Sequence, residues 1–153
     1  MIKNKELAEI AIREAIKTVD YNTVGYSINF LIDKINQQEI KDNLHWDEVK
    51  QSYYIESLML GLPVLNIVFQ EKNSNDWGKL DFFEQLIDGK QRLLTAFNFV
   101  NGNLRLSNLQ VLDSLNGFTF KDLPISRQKR FKRISARAIA VDSKSDISVF
   151  KRY

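Results

Sequence analysis

Ile87-Asp88-Gly89-Lys90-Gln91-Arg92 gathers a carboxylate, a glycine, two cations and an amide into one short stretch. An apolar, strand-like run ends at Ile87, and a helical pattern begins at Lys90. A chain that passes from strand to helix through one glycine brings first-turn backbone N–H groups and the positive end of the helix dipole to one point. Such a point attracts anions, phosphate especially. Gly89 permits close approach and unusual backbone angles. Lys90 adds positive charge, and Arg92 can hold a phosphate through two parallel hydrogen bonds. Asp88 suits a magnesium ion carried by a nucleotide, or a ribose hydroxyl. A second reading involves no ligand. Asp88 and Gln91, three residues apart, match an acidic capping box, each side chain satisfying the other's backbone N–H.

A different chemistry is suggested farther along. Arg127, Lys129, Arg130, Lys132, Arg133 and Arg137 follow one another with no acid between them. That cluster can contact nucleic-acid phosphates. With Phe131 and Ile134 on its buried side, it also reads as a solvated helix face. The net charge of +3 does not choose between these readings.

Other chemistries are excluded or unsupported. The chain has no cysteine, hence no disulfide, no thiolate nucleophile and no Cys-ligated metal. An HNH-type nuclease needs histidines for metal binding and for activating water, and His45 is the only one. Ser57 has no histidine placed to activate it. Trp46, Tyr53 and Tyr54 could stack on bases, but helical spacing makes them core or half-core residues first. Asp47, Glu48 and Glu56 read as dipole and surface carboxylates.

The elements that must position these residues follow from periodicity. At 153 residues the chain is long enough for one domain with a substantial core, and ten phenylalanines make that core aromatic. A first helix is expected over Asn4–Val19, with Leu7, Ile10, Ala11 and Ile16 at helical spacing. A polar break over Asp20–Gly25 follows, then a helix over Ser27–Asn36, capped by Ser27 and turning Phe30, Leu31 and Ile35 inward. Gln37–His45 is expected to hold a short strand near Glu39–Lys41. Another helix has Asp47 and Glu48 in its first turn, with Tyr53, Tyr54, Leu58 and Met59 on one side, and stops at Gly61 and Pro63. Val64–Gln70 and Leu80–Ile87 read as strands joined by a surface hairpin loop over Glu71–Lys79. A helix over Lys90–Val100 buries Leu93, Leu94, Phe97 and Val100 and ends at Asn101-Gly102. A short basic helix after Phe120 and a strand over Ala138–Asp142 complete an α+β chain, a small mixed sheet with a central hairpin packed against several helices.

The N-terminus lacks an uninterrupted apolar run. Tyr53–Phe69, the most apolar stretch, is broken by Glu56, Gly61, Pro63 and Asn66. A soluble, cytoplasmic protein with no membrane partner is expected.

Several of these segments recur in one family. Trp46 is followed by Tyr54-Ile55-Glu56-Ser57-Leu58-Met59-Leu60-Gly61-Leu62-Pro63-Val64, then by Ile87-Asp88-Gly89-Lys90-Gln91-Arg92-Leu93-Leu94-Thr95, Gly102 and Phe120-Lys121-Asp122-Leu123-Pro124. In order and spacing these resemble the ParB/sulfiredoxin-like domain at the N-terminus of GmrSD-type, modification-dependent restriction proteins. The resemblance covers residues 26–153 and leaves 1–25 as an N-terminal helix and connection. It implies an NTP-binding, NTP-hydrolysing sensor of a restriction or phage-defence system, with NTP and Mg2+ as cofactors and an HNH-type nuclease domain or subunit as partner. Asp88, Gly89, Gln91 and Arg92 would form the site, with Asp88 and Arg92 catalytic and Asp88 on the metal. Lys90 and Thr95 fall within the same motif. Related ParB proteins bind CTP and DNA, which implies a non-catalytic DNA-binding module or an interaction scaffold as the alternative. Two departures stand out. The family's Tyr/Phe-Gln-Arg segment upstream of the tryptophan is here Ile40-Lys41-Asp42-Asn43-Leu44-His45, leaving Lys41 as a substitute cation without the bidentate fork. The chain stops at Val149-Phe150-Lys151-Arg152-Tyr153, where the family continues, so the domain is expected to be cut short.

Overall fold

In a computed structural model, which describes residues 4–64, 67–70 and 86–142, the chain is α+β. The described residues form six helices and one four-stranded mixed sheet. The helices are α1 (Lys5–Lys17), α2 (Ile28–Ile32), α3 (Gln37–Asn43), α4 (Glu48–Met59), α5 (Lys90–Val100) and α6 (Ile125–Lys132). The strands are β1 (Tyr21–Ser27), β2 (Ile67–Gln70), β3 (Leu86–Asp88) and β4 (Ser135–Val141), in the order β1-β4-β2-β3. β4 runs antiparallel to β1 and parallel to β2, and β3 closes one edge antiparallel to β2. The expected loop Glu71–Lys79, the first part of the strand expected over Leu80–Ile87, and Val149–Tyr153 lie outside the described residues.

Three expectations about these elements are corrected. Asp20–Gly25 is largely strand rather than a polar break: Tyr21 to Ser27 pair in continuous register with Val141 to Ser135. Gln37–Asn43 is a helix, not a strand, because Asn36 begins it with a capping box. The Asn36 side chain accepts from Gln38 N (2.9 Å), and Glu39 Oε2 accepts from Asn36 N (3.0 Å). That second start shortens the helix expected over Ser27–Asn36 to α2, which Ser27 does cap through Phe30 N (3.1 Å). Helix α1 forms where expected, with Leu7, Ile10 and Ile16 62%, 55% and 65% exposed.

The core lies between one face of the sheet and α2, α4, α5 and α6. Leu31, Ile55, Leu94 and Phe99 are wholly buried in it. Phe99, Phe120 and Phe131 meet edge-to-face with centroids 5.3–5.9 Å apart, the arrangement that aromatic quadrupoles favour. Asp122 holds the turn carrying Phe120, accepting from Thr119 N at 2.8 Å and Thr119 Oγ1 at 3.0 Å. These two donors keep its carboxyl below the usual range.

Helix α4 organises the rest. Asp47 caps it through Lys50 N (2.8 Å), and the chain leaves through Gly61 at φ +68°, with Leu62 N donating to Ser57 O (3.0 Å). Tyr54 and Leu58 are buried, while Tyr53, expected on the same side, is 67% exposed. The face of α4 toward α5 and the 104–118 segment is buried but polar. Ser52 Oγ accepts from Ser107 N (3.1 Å), and Gln51 Oε1 accepts from Asn98 Nδ2 (3.0 Å). Glu56, expected at the surface, is 4% exposed, and its Oε2 accepts from Val111 N (3.1 Å) and Leu112 N (2.9 Å). A buried carboxylate is tolerable only with such donors.

Removing that carboxylate strands two amides. Glu56→Ala is expected to lower unfolding free energy by about 1–3 kcal/mol in urea titration, whereas Glu48→Ala, at an exposed first-turn position, costs less than about 1 kcal/mol. Equal costs would show that Glu56 does not hold the 104–118 segment.

Candidate functional site

The junction of β3 and α5 is built around one glycine. Gly89 is the N-cap of α5 at φ +97°, in the left-handed region, and no side chain caps the helix there. A Cβ at Gly89 would stand 3.2 Å from both Cα and Cγ1 of Ile67 on the neighbouring strand. The helix start is thus pressed against β2, and only glycine suits both its backbone angles and the space. Just before it, Val68 faces Asp88 and Phe69 faces Leu86, so Ile87 is the extra residue of a bulge. Bulges re-aim side chains at sheet edges, and here the residue after the bulge is Asp88.

The capping-box reading of Asp88 and Gln91 is not what forms. Asp88 Oδ1 accepts from Gly89 N at 2.9 Å, and Asp88 Oδ2 lies 3.8 Å from Arg92 Nη2, one turn into α5. The Gln91 side chain turns away to the connection between α3 and α4. Its Oε1 accepts from His45 N (2.7 Å) and Trp46 N (3.1 Å), and its Nε2 donates to Asn43 O (2.5 Å).

In front of the junction is a cleft of about 390 Å³ lined by Trp46 and by Leu86 through Arg92. Asp88, Gly89, Lys90, Gln91 and Arg92, singled out from the sequence, all border it. The Arg92 side chain is only 12% exposed and the Asp88 side chain 32%. A partly desolvated arginine interacts more strongly with an anion than one in bulk water. Behind the cleft is Tyr54, whose phenol burial pushes up to about 12, against the smaller opposing pull of the Arg92 charge. Trp46 meets Tyr54 edge-on with centroids 5.9 Å apart.

Two other expected residues are not brought there. Thr95 is wholly buried in the core, and its Oγ1 has no hydrogen-bond partner. Lys41 is an exposed residue in the last turn of α3 and does not border the cleft. Among the described residues no group of three or more His, Cys, Asp or Glu could hold a metal ion. Asp88 is the one carboxylate among the described residues lining the cleft.

The basic stretch divides. Arg127, Lys129, Arg130 and Arg133 are exposed on or just after α6, and Arg137 is exposed on β4. Lys132 Nζ instead lies 5.8 Å from the Phe120 ring centroid. No helix among the described residues is long and apolar enough to cross a membrane. Sequence reasoning did not place Trp46 at the site; its position beside the Asp47 helix cap was the available signal.

A family model described as "GmrSD restriction endonuclease, N-terminal domain" matches residues 28–152. No curated protein and no solved structure matches the chain.

The geometry of Gly89 sets a direct test. Gly89→Ala adds both a left-handed backbone penalty and a clash with Ile67, whereas Gly102→Ala, at φ +81° with nothing within 4 Å of its would-be Cβ, adds only the first. In urea titration Gly89→Ala should be the costlier by about 1 kcal/mol or more. Equal costs would mean that β2 does not press on the junction.

Proposed function

The chain belongs to the family of GmrSD restriction endonuclease N-terminal domains, and we propose that it serves its restriction system by binding a nucleoside triphosphate at the β3–α5 junction. The observation that carries this reading is the cleft itself. An uncapped helix start, a glycine without a side chain and a largely shielded arginine converge on one concave surface. Phosphate oxygens fit the N-terminal turn of α5, with Arg92 and Lys90 supplying charge. Magnesium is commonly held by one or two carboxylates plus the phosphates it accompanies, and Asp88 supplies one such carboxylate. Among the described residues Asp88 is the one carboxylate lining the cleft, and the roles this reading assigns to the site are binding and sensing. Cleavage of DNA would come from a nuclease domain or partner of the same system.

A second reading has its own observation. The exposed Arg127, Lys129, Arg130, Arg133 and Arg137 carry no acid among them, which suits contact with duplex DNA phosphates.

A nucleotide panel in a thermal-shift assay tests the first reading. A ligand that binds only the folded chain raises Tm by mass action. At least one nucleoside triphosphate with magnesium should raise Tm, and Arg92→Ala should lose most of the shift; an undiminished shift misplaces the site. For the second reading, affinity for duplex DNA should fall steeply with salt, and less steeply once Arg127, Arg130 and Arg133 are replaced by alanine. Affinity that stays flat with salt removes it.

A further inference from the structure

Gln91 lies inside the motif but spends its side chain on the backbone of another segment. Its amide makes three hydrogen bonds to Asn43, His45 and Trp46, leaving one donor proton of its NH2 for anything else. The first turn of α5 is thereby fastened to the α3–α4 connection, forty-five positions away in the chain for the Trp46 contact. The residue this fixes in space is Trp46, the one aromatic among the described residues that line the cleft.

The indole is held on several sides. The Gln91 amide fixes its backbone N–H, Gln51 Nε2 donates to its carbonyl at 2.9 Å, and Tyr54 meets its ring edge-on. Asp47, the next residue, caps α4. Lys50 Nζ lies 5.0 Å from the ring centroid, so a cation reaches the π face. The cleft therefore has two unlike regions: a helix start and Arg92 suited to an anion, and a fixed aromatic wall suited to a planar ring.

We propose that Trp46 is the stacking surface for the base of the bound nucleotide and that Gln91 is the residue that positions it. This rests on the nucleotide reading above and adds which part of the ligand each residue meets. Phosphates face α5, and the base lies against the indole. Gln91 thus works through Trp46, and its place in the motif is explained by the loop it anchors. Because the same amide ties α5 to the α3–α4 connection, nucleotide and loop become parts of one structure.

Two probes separate the regions of the cleft. Isothermal titration of the full chain with magnesium uses the tightest binder among ATP, GTP, CTP and UTP, and, in parallel, inorganic tripolyphosphate. Trp46→Leu should weaken the nucleotide at least about fivefold and leave tripolyphosphate within about twofold, while Trp46→Phe, which keeps a ring, retains most of the affinity. Gln91→Leu should reproduce the Trp46→Leu pattern although the indole is still present. If Trp46→Leu does not fold, Trp46→Phe and Gln91→Leu carry the comparison. A direct readout uses Trp77→Phe, which leaves Trp46 as the only indole: its emission should shift on adding nucleotide and hold steady on adding tripolyphosphate. Equal loss of both probes, no loss of either, or unchanged emission with a nucleotide that binds overturns the stacking proposal alone. A parent protein that binds neither probe overturns the nucleotide reading and this inference with it.

Discussion

The close contact between Gly89 and Ile67 is the constraint on which the remainder of the site depends. The chain enters α5 in a left-handed conformation, with 3.2 Å between a would-be Cβ and the backbone of β2. With the helix start pressed to the sheet edge, the first turn of α5 opens into the cleft while Leu93, Leu94 and Phe97 behind it are buried. The bulge at Ile87 then decides which way Asp88 points, and Arg92 follows one turn later within 3.8 Å of that carboxylate. One residue without a side chain thus sets a strand end, a helix axis and the spacing of two opposite charges.

Around that junction, polar side chains do much of the positioning that apolar packing does elsewhere. Gln91 ties α5 to the segment before α4, Gln51 ties α4 to Asn98 of α5, and Glu56 ties α4 to the 104–118 segment. Directed bonds of this kind specify one arrangement among those of similar buried area. They converge on α5, whose first turn lines the cleft, and on α4, which follows directly after Trp46.

How much of this was legible in the sequence depended on how local the cause was. The β3–Gly89–α5 junction and the extent of α5 could be read because a glycine separates two clear periodicities. The Ser27 cap, the Gly61 stop and the aromatic core were also local or compositional signals. β1 was missed because it is short of apolar residues and owes its form to pairing with β4, more than a hundred positions away. α3 was missed although its capping pair, Asn36 and Glu39, is visible, since the stretch beyond lacks an apolar stripe. The role of Gln91 was hidden for another reason: spacing offered Asp88 as a partner, and the fold offered the backbone at Trp46. Periodicity alone also misjudged Tyr53, because a pattern shows which residues share a face and not whether anything covers it.

A crystal structure of the chain with a non-hydrolysable nucleoside triphosphate analogue and magnesium tests the account most directly. It should show phosphate oxygens at the first turn of α5, within hydrogen-bonding distance of the Arg92 guanidinium. A triphosphate seated instead against Arg127 and Arg130 on α6, with the Gly89 junction bare, would contradict it.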